Sequence, residues 1–275
     1  MPLIKIFVSV VMVVTLSLIA EFVSPRIAGI LSGYPLGTAI SLFFIGFEVS
    51  PAFASQSSLY AMIGLVGIQG FTYCYYLASR RVNSRRKWPN IVISSMAGLG
   101  GYVLIISILH FLNATVLISL AIPAASFVAF RFLFRNIGNV KIEKRMPLNI
   151  ILLFGRAFFA GAVIIFVTGV AKIVGPRWAG LFSAFPVVLF PVMVIVHFTY
   201  RIEHVHTLIR GVPEGLVSLF IYTLVVHLAY SSLGIYLGTI IAYACATIYL
   251  IVTHMDLRFC RLVDPVKDRK GGRNP

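Results

Sequence analysis

The sequence predicts an all-α integral membrane protein of about nine transmembrane helices: two four-helix repeats of opposite orientation plus a linking helix. Three observations lead there. Of 275 residues, 59% are hydrophobic and only 11% charged, with a mean hydropathy of +0.97, whereas a soluble domain carries about 25% charged residues. Apolar runs near the ~20 residues that cross a bilayer as a helix recur along the chain, and the alternation of a barrel strand is missing. The third is that the chain repeats itself at an offset of 151 residues.

The predicted spans are 3–23, 36–54, 58–79, 89–112, 114–134, 148–174, 187–202, 207–230 and 232–254. The first is read as a retained helix rather than a secretory signal, because its leading region offers only Lys5 and no small-residue cleavage site follows. Turn-forming joints separate the rest: "SPRIAGILSGYP" at 24–35, "ASQSS" at 54–58, "LNAT" at 112–115, "RMP" at 145–147, "GPRWAGLFSAFP" at 175–186 and "YSSLG" at 230–234. Pro191 should kink the seventh span. Gly98, Gly100 and Gly101, and the pair Gly234 and Gly238, suit close helix packing.

Sliding the chain by 151 positions superposes Pro25, Arg26, Ala28, Gly29, Ser32 and Pro35 on Pro176, Arg177, Ala179, Gly180, Ser183 and Pro186. Without a gap it also matches "GLV" at 64–66 with 215–217, Thr72 with Thr223, and Leu77-Ala78 with Leu228-Ala229. Five spans lie between the start of one copy and the start of the next, and an odd number reverses the second. The expected organisation is a first repeat at 1–112, a linking helix and basic loop at 113–147, an inverted second repeat at 148–254 and a basic tail at 255–275. Secondary transporters built this way place substrate at the repeat interface, beside discontinuous helices.

A net charge of +15 does not point to nucleic acid, because the basic residues lie in loop clusters rather than on an aromatic-interleaved face. The clusters are 79–88, Arg131 to Arg145, Arg201 with Arg210, and the tail. They place these loops and the C-terminus on the cytoplasmic side. Three scattered cysteines, Cys74, Cys245 and Cys260, form neither a disulfide framework nor a metal site. No metal, cofactor or enzyme motif is read from the chain, and its short outer loops leave little room for a catalytic constellation.

Of the 23 basic residues, five lie outside the clusters: Lys5, Arg26, Arg156, Lys172 and Arg177. The shift pairs Lys5 with Arg156, Arg26 with Arg177, and Glu21 with Lys172. Ionisable groups at membrane depth cost ~2.5–3.5 kcal/mol each and usually pair or line a hydrated route. Two readings stand for Arg26 and Arg177. Each caps a helix end, or, with Ser32 and Ser183, each binds an anion beside the free amides of a broken helix. Glu21 and Lys172 either form a gate pair or snorkel to opposite surfaces. Glu48, His197 and His227 are candidates for gating or proton coupling, against interface exposure for Glu48 and interhelical hydrogen bonding for the histidines.

The phrase "GPRWAGLFSAFPVV" at 175–188, with its twin at 24–37, resembles the signature of the GlpM-like family of small bacterial inner-membrane proteins. The match is strongest over about 60 residues of the second half; in the first, Ser24 replaces the leading glycine and Gly33-Tyr34 replace Ala-Phe. The resemblance implies a bacterial-type inner membrane and a four-helix unit that duplicated and fused. The expected function is secondary transport of a small anionic solute or anionic lipid headgroup, with proton coupling and homo-oligomerisation left open. The alternatives are a passive channel and a non-transporting scaffold or accessory subunit.

Overall fold

The computed structural model describes residues 33–82, 87–140 and 150–263, together with Phe7 and Val11. Seven helices follow in order: α1 (Leu36–Glu48), α2 (Pro51–Arg81), α3 (Lys87–Leu109), α4 (Val116–Phe134), α5 (Ile150–Ser183), α6 (Leu189–Thr199) and α7 (Ile202–Val263). There is no strand among the described residues. Four helices, α2, α3, α4 and α7, are long and apolar enough to cross a membrane. The chain is an all-helical, membrane-type bundle.

Two of the helices are hairpins. A straight helix of 62 residues would reach about 93 Å, yet in α7 the Tyr230 hydroxyl meets Thr239 Oγ1 at 2.7 Å and Ser218 Oγ donates to the Ala246 carbonyl at 3.2 Å. The chain reverses at Gly234, whose φ of 75° is left-handed backbone that glycine tolerates. The first arm, 202–233, and the second, 235–263, lie antiparallel. Gly175 does the same to α5, again at φ 75°. Phe166 and Phe182 would stand about 24 Å apart along a straight helix, but their rings are 6.1 Å apart. A long arm, 150–174, is therefore followed by a short arm, 176–183, that folds back along it.

α2 is the central helix and α4 a peripheral one: 67% of the apolar stretch of α2 is buried, against 11% for α4. α2 packs on α3, α4, α5 and α7. Its start is fixed locally, because Ser50 Oγ accepts from Phe53 N at 3.1 Å and Pro51 occupies the first turn, where its missing N–H costs nothing. One end of the bundle gathers Arg80, Arg81, Lys87, Arg135 and Arg201 and is called the basic end here. The opposite end holds the α3–α4 turn and the reversal at Gly234.

Several expectations need correction. The span 36–54 shrinks to α1 and the span 187–202 to α6, about 20 Å and 16 Å long, too short for the ~30 Å hydrocarbon core. "ASQSS" is not a joint but part of α2, since the Ser50 cap starts the helix upstream of it. Pro191 lies in the first turn of α6 and kinks nothing. Arg210 is not in a loop; α7 begins at Ile202, and Arg210 reaches out of it to the Ile137 carbonyl at 2.5 Å.

Candidate functional site

α6 is the second half of an interrupted helix, and α1 is a half-length helix that begins in the same kind of turn. Short arm 176–183, turn 184–188 and α6 together run the full height of the bundle. Near its start, Arg177 bonds Asn113 in the α3–α4 turn. At its finish, the carbonyls of Phe198 and Tyr200 accept from Lys87 Nζ at 3.2 and 3.3 Å, at the other end of α3. The interruption falls halfway: Gly64, near the middle of α2, faces Ala184 so closely that an added Cβ would stand 2.8 Å from the alanine Cβ. Gly33, before α1, faces Gly215 near the middle of the first arm of α7 with no room for a side chain. Positions 33 and 184 are 151 apart, as are 64 and 215.

The turns before α1 and α6 share a backbone device. Leu36 N donates to the Tyr34 carbonyl at 2.7 Å across Pro35, and Val187 N to the Phe185 carbonyl at 2.7 Å across Pro186. Pro35, at φ −75° and ψ 56°, has the inverse γ-turn conformation. A proline-centred turn stops one half-helix and re-aims the chain into the next. α1 and α6 then leave in opposite directions. α1 runs beside the second arm of α7 towards the reversal at Gly234, while α6 runs to the basic end.

Between the turns lies a cavity of about 20 Å³, lined by Tyr34, Gly37, Thr38 and Ile68 and by Phe185, Val188, Leu189 and Leu219. Those eight residues form four pairs, each 151 apart, while Pro186 and Val187 also line the cavity without their counterparts Pro35 and Leu36. Its volume suits about one water. Contacts farther out are reciprocal in the same sense. Ser55 Oγ donates to the His227 carbonyl at 2.8 Å, while the rings of Tyr76 and His206 meet at 4.8 Å; 55 and 206, and 76 and 227, are each 151 apart.

The helix ends around the cavity are treated unequally. Neither α1 nor α6 has a side-chain cap or an acidic residue in its first turn, and backbone carbonyls take up part of the first-turn N–H set: Leu36 N donates to Tyr34 O, Phe190 N to Pro186 O at 2.9 Å and Val192 N to Val188 O at 3.3 Å, while Pro191 has no N–H. The carbonyls that end the short arm are satisfied. Ser183 Oγ donates to Gly180 O at 2.7 Å, Tyr102 OH to Leu181 O at 2.7 Å and Phe185 N to Phe182 O at 3.0 Å. The negative end of the short arm is closed, while the positive ends of the α1 and α6 dipoles carry no acidic side chain in their first turns, which favours an anionic group.

Arg177 is brought elsewhere. Its guanidinium donates to Asn113 Oδ1 at 2.7 Å and lies 5.9 Å from the Tyr60 ring centre, at the opposite end. Ser183 is buried with its hydroxyl turned back into its own helix. Glu48 is the last residue of α1, half-buried. His197 is 4% exposed and bonds Tyr75 OH through Nδ1 at 2.8 Å, tying α6 to α2. His227 joins α7 to the start of α2, its Nδ1 lying 3.0 Å from the Ser55 carbonyl. Arg26, Ser32 and Glu21 lie outside the described residues, as does the side chain of Lys172, so the expected Glu21 and Lys172 pair does too.

Sequence reasoning passed over Tyr34, Thr38, Ile68, Tyr102 and Leu219. It looked for charge, whereas the cavity is bounded by apolar groups, backbone and hydroxyls. The shift by 151 held a signal, since it pairs Ile68 with Leu219 and Tyr34 with Phe185. No family model, curated protein or solved structure matches the chain.

Proposed function

We propose that the chain is a secondary membrane transporter with an inverted-repeat core, and that a small anionic solute, or the anionic headgroup of a lipid, passes between the half-length helices α1 and α6. One observation carries this reading: the N-termini of α1 and α6, neither with a side-chain cap, meet at a mid-height cavity of whose ten lining residues eight fall in four pairs 151 apart. Reciprocal contacts between positions i and j+151, and between j and i+151, are what a two-fold relation produces. The opposed directions of α1 and α6 fit an axis in the membrane plane. Half-helix N-termini aimed at a central site suit an anionic substrate group. In this reading the backbone supplies the anion preference, and Arg177 holds the α3–α4 turn onto the short arm. The basic end faces the cytoplasm, in a bacterial-type inner membrane if the GlpM-like resemblance holds.

The size of the cavity favours a transporter over a passive channel, because room for about one water is an occluded passage. The test is uptake of labelled chloride, phosphate, sulfate and acetate into proteoliposomes, with and without a proton gradient. Saturable uptake of at least one anion is expected. Gly37→Leu, whose Cβ alone would stand 3.1 Å from Val187 Cβ, should fill the cavity and remove that uptake while the protein remains monodisperse. Uptake that survives the filled cavity puts the passage elsewhere, and flux that never saturates returns the reading to a channel.

A further inference from the structure

α2 and the first arm of α7 are counterparts under the shift by 151, and they run antiparallel past the central cavity, which Ile68 of one and Leu219 of the other line. Towards each end a polar contact joins them. At the Gly234 end it is reciprocal: Ser55 Oγ donates to the His227 carbonyl at 2.8 Å, and His227 Nδ1 donates to the Ser55 carbonyl at 3.0 Å. A carbonyl only accepts, so this imidazole carries its proton on Nδ1. At the basic end Ser79 Oγ donates to the Tyr76 carbonyl at 2.9 Å and therefore accepts from His206 Nε2 at 2.9 Å, while the imidazole meets the Tyr76 ring edge-on.

Three features set these contacts apart from ordinary packing. The shift exchanges their positions, 55 with 206 and 76 with 227, so one contact recurs in both halves, each time with a histidine from α7. They also flank the cavity. Along each helix one contact lies eight residues from the cavity-lining position and the other thirteen, about 12 Å and 20 Å, in opposite directions. Between the contacts both helices are pinned, since Gly64 of α2 abuts Ala184, and Gly33 abuts Gly215 of α7, with no room for a side chain on Gly64 or Gly33. A helix pinned near its middle swings at its ends. Both histidines are half-buried, and water replaces a hydrogen bond between neutral groups at little net cost. Either contact can therefore part without the penalty of exposing an apolar seam.

We propose that the two contacts are the gates of the central cavity: Ser55 with His227 shuts it towards the Gly234 end, His206 with Ser79 and Tyr76 shuts it towards the basic end, and they part in alternation. Both are made in this structure, which is the occluded arrangement. The proposal rests on the transport reading and names the residues that open the passage on each side. Alternation gives the two gates effects of opposite sign: weakening one exposes the cavity to its own end and withdraws it from the other.

Labelling of Thr38→Cys by a membrane-impermeant maleimide reads both gates, in a parent chain whose native cysteines are replaced by alanine. Right-side-out vesicles present the Gly234 end and inside-out vesicles the basic end. His227→Ala or Ser55→Ala should raise labelling from the Gly234 end about fivefold relative to that from the basic end, the shift that roughly 1 kcal/mol gives. His206→Ala or Ser79→Ala should move the ratio by about as much in the reverse sense. His227→Asn keeps a donor at the place of Nδ1 and His206→Gln one at the place of Nε2, so both should hold the ratio within about twofold of the parent. The serine variants carry the test where a histidine variant fails to fold. If Thr38→Cys in the parent is labelled from neither side, the passage reading fails and the gates with it. Labelling from both sides with a ratio that the variants leave unchanged, or shift in one common sense, overturns the gates alone. Amide variants that behave like alanine overturn the part played by the hydrogen bonds.

Discussion

The turn before α1 and the turn before α6 have the same backbone and different moorings. Both are proline-centred with a 2.7 Å bond across the proline, and both face a long helix at a position too tight for a larger residue. The hydrogen bonds described for α1 lie at its cavity end, where Tyr34 OH meets Thr247 Oγ1 at 2.8 Å and Tyr243 OH donates to the Pro35 carbonyl at 3.3 Å. Those of α6 lie at its far end, where His197 meets Tyr75 and Lys87 reaches the Phe198 and Tyr200 carbonyls. The cavity end of α6 packs through rings instead, Phe190 against Phe71 at 5.8 Å. Geometry common to both turns sets where α1 and α6 begin, while the polar contacts around each differ.

The largest effect is expected where the shared geometry is violated. Gly33→Val puts a side chain into the backbone of Gly215 and Leu216, with no flexible neighbour to yield. Overpacking typically costs about 1–3 kcal/mol and more against backbone, so folded protein should be lost from size-exclusion profiles. A folded Gly33→Val variant would mean that the crossing is looser than described. Next come the moorings. Tyr75→Phe leaves a buried imidazole nitrogen of His197 without its partner, a loss of about 1–3 kcal/mol, whereas Tyr34→Phe removes one part-buried hydroxyl pair, about 1 kcal/mol. Thermal unfolding in detergent should rank them in that order, and the reverse ranking would undo the contrast between α1 and α6. The smallest effect is expected at Arg177. Arg177→Ala loses one hydrogen bond and a long ring contact at a half-exposed position, about 0.5–1.5 kcal/mol, and should leave the KM of the transported anion within about twofold. A collapse in affinity with stability intact would return Arg177 to the substrate.

What was legible in the sequence was the membrane-type helical class and the place of the turns. Pro35 and Pro186, 151 apart, are the centres of the two turns, and the joint at 230–234 contains the reversal at Gly234. Two things were not legible. Hydropathy cannot distinguish a full crossing from a half-helix when the neighbouring turn is as apolar as the helix, so α1 and α6 read as complete spans. Charge drew attention to Arg177 because a guanidinium near membrane depth is conspicuous, yet its partner Asn113 sits in a short turn 64 residues away. The cavity itself announces nothing in composition, since its lining is mostly apolar side chains and backbone, with the hydroxyls of Tyr34 and Thr38.

The central claim is that the half-length helices α1 and α6 enclose the passage. The most direct measurement is the accessibility of a cysteine at Thr38, which is 3% exposed and lines the cavity, in a background with Cys74, Cys245 and Cys260 replaced by alanine. A membrane-impermeant thiol reagent is applied to right-side-out and to inside-out vesicles. Thr38→Cys should be labelled from both sides, and the transported anion should slow labelling from each. Labelling from neither side, or from one side alone under every gradient, would contradict a passage at this cavity.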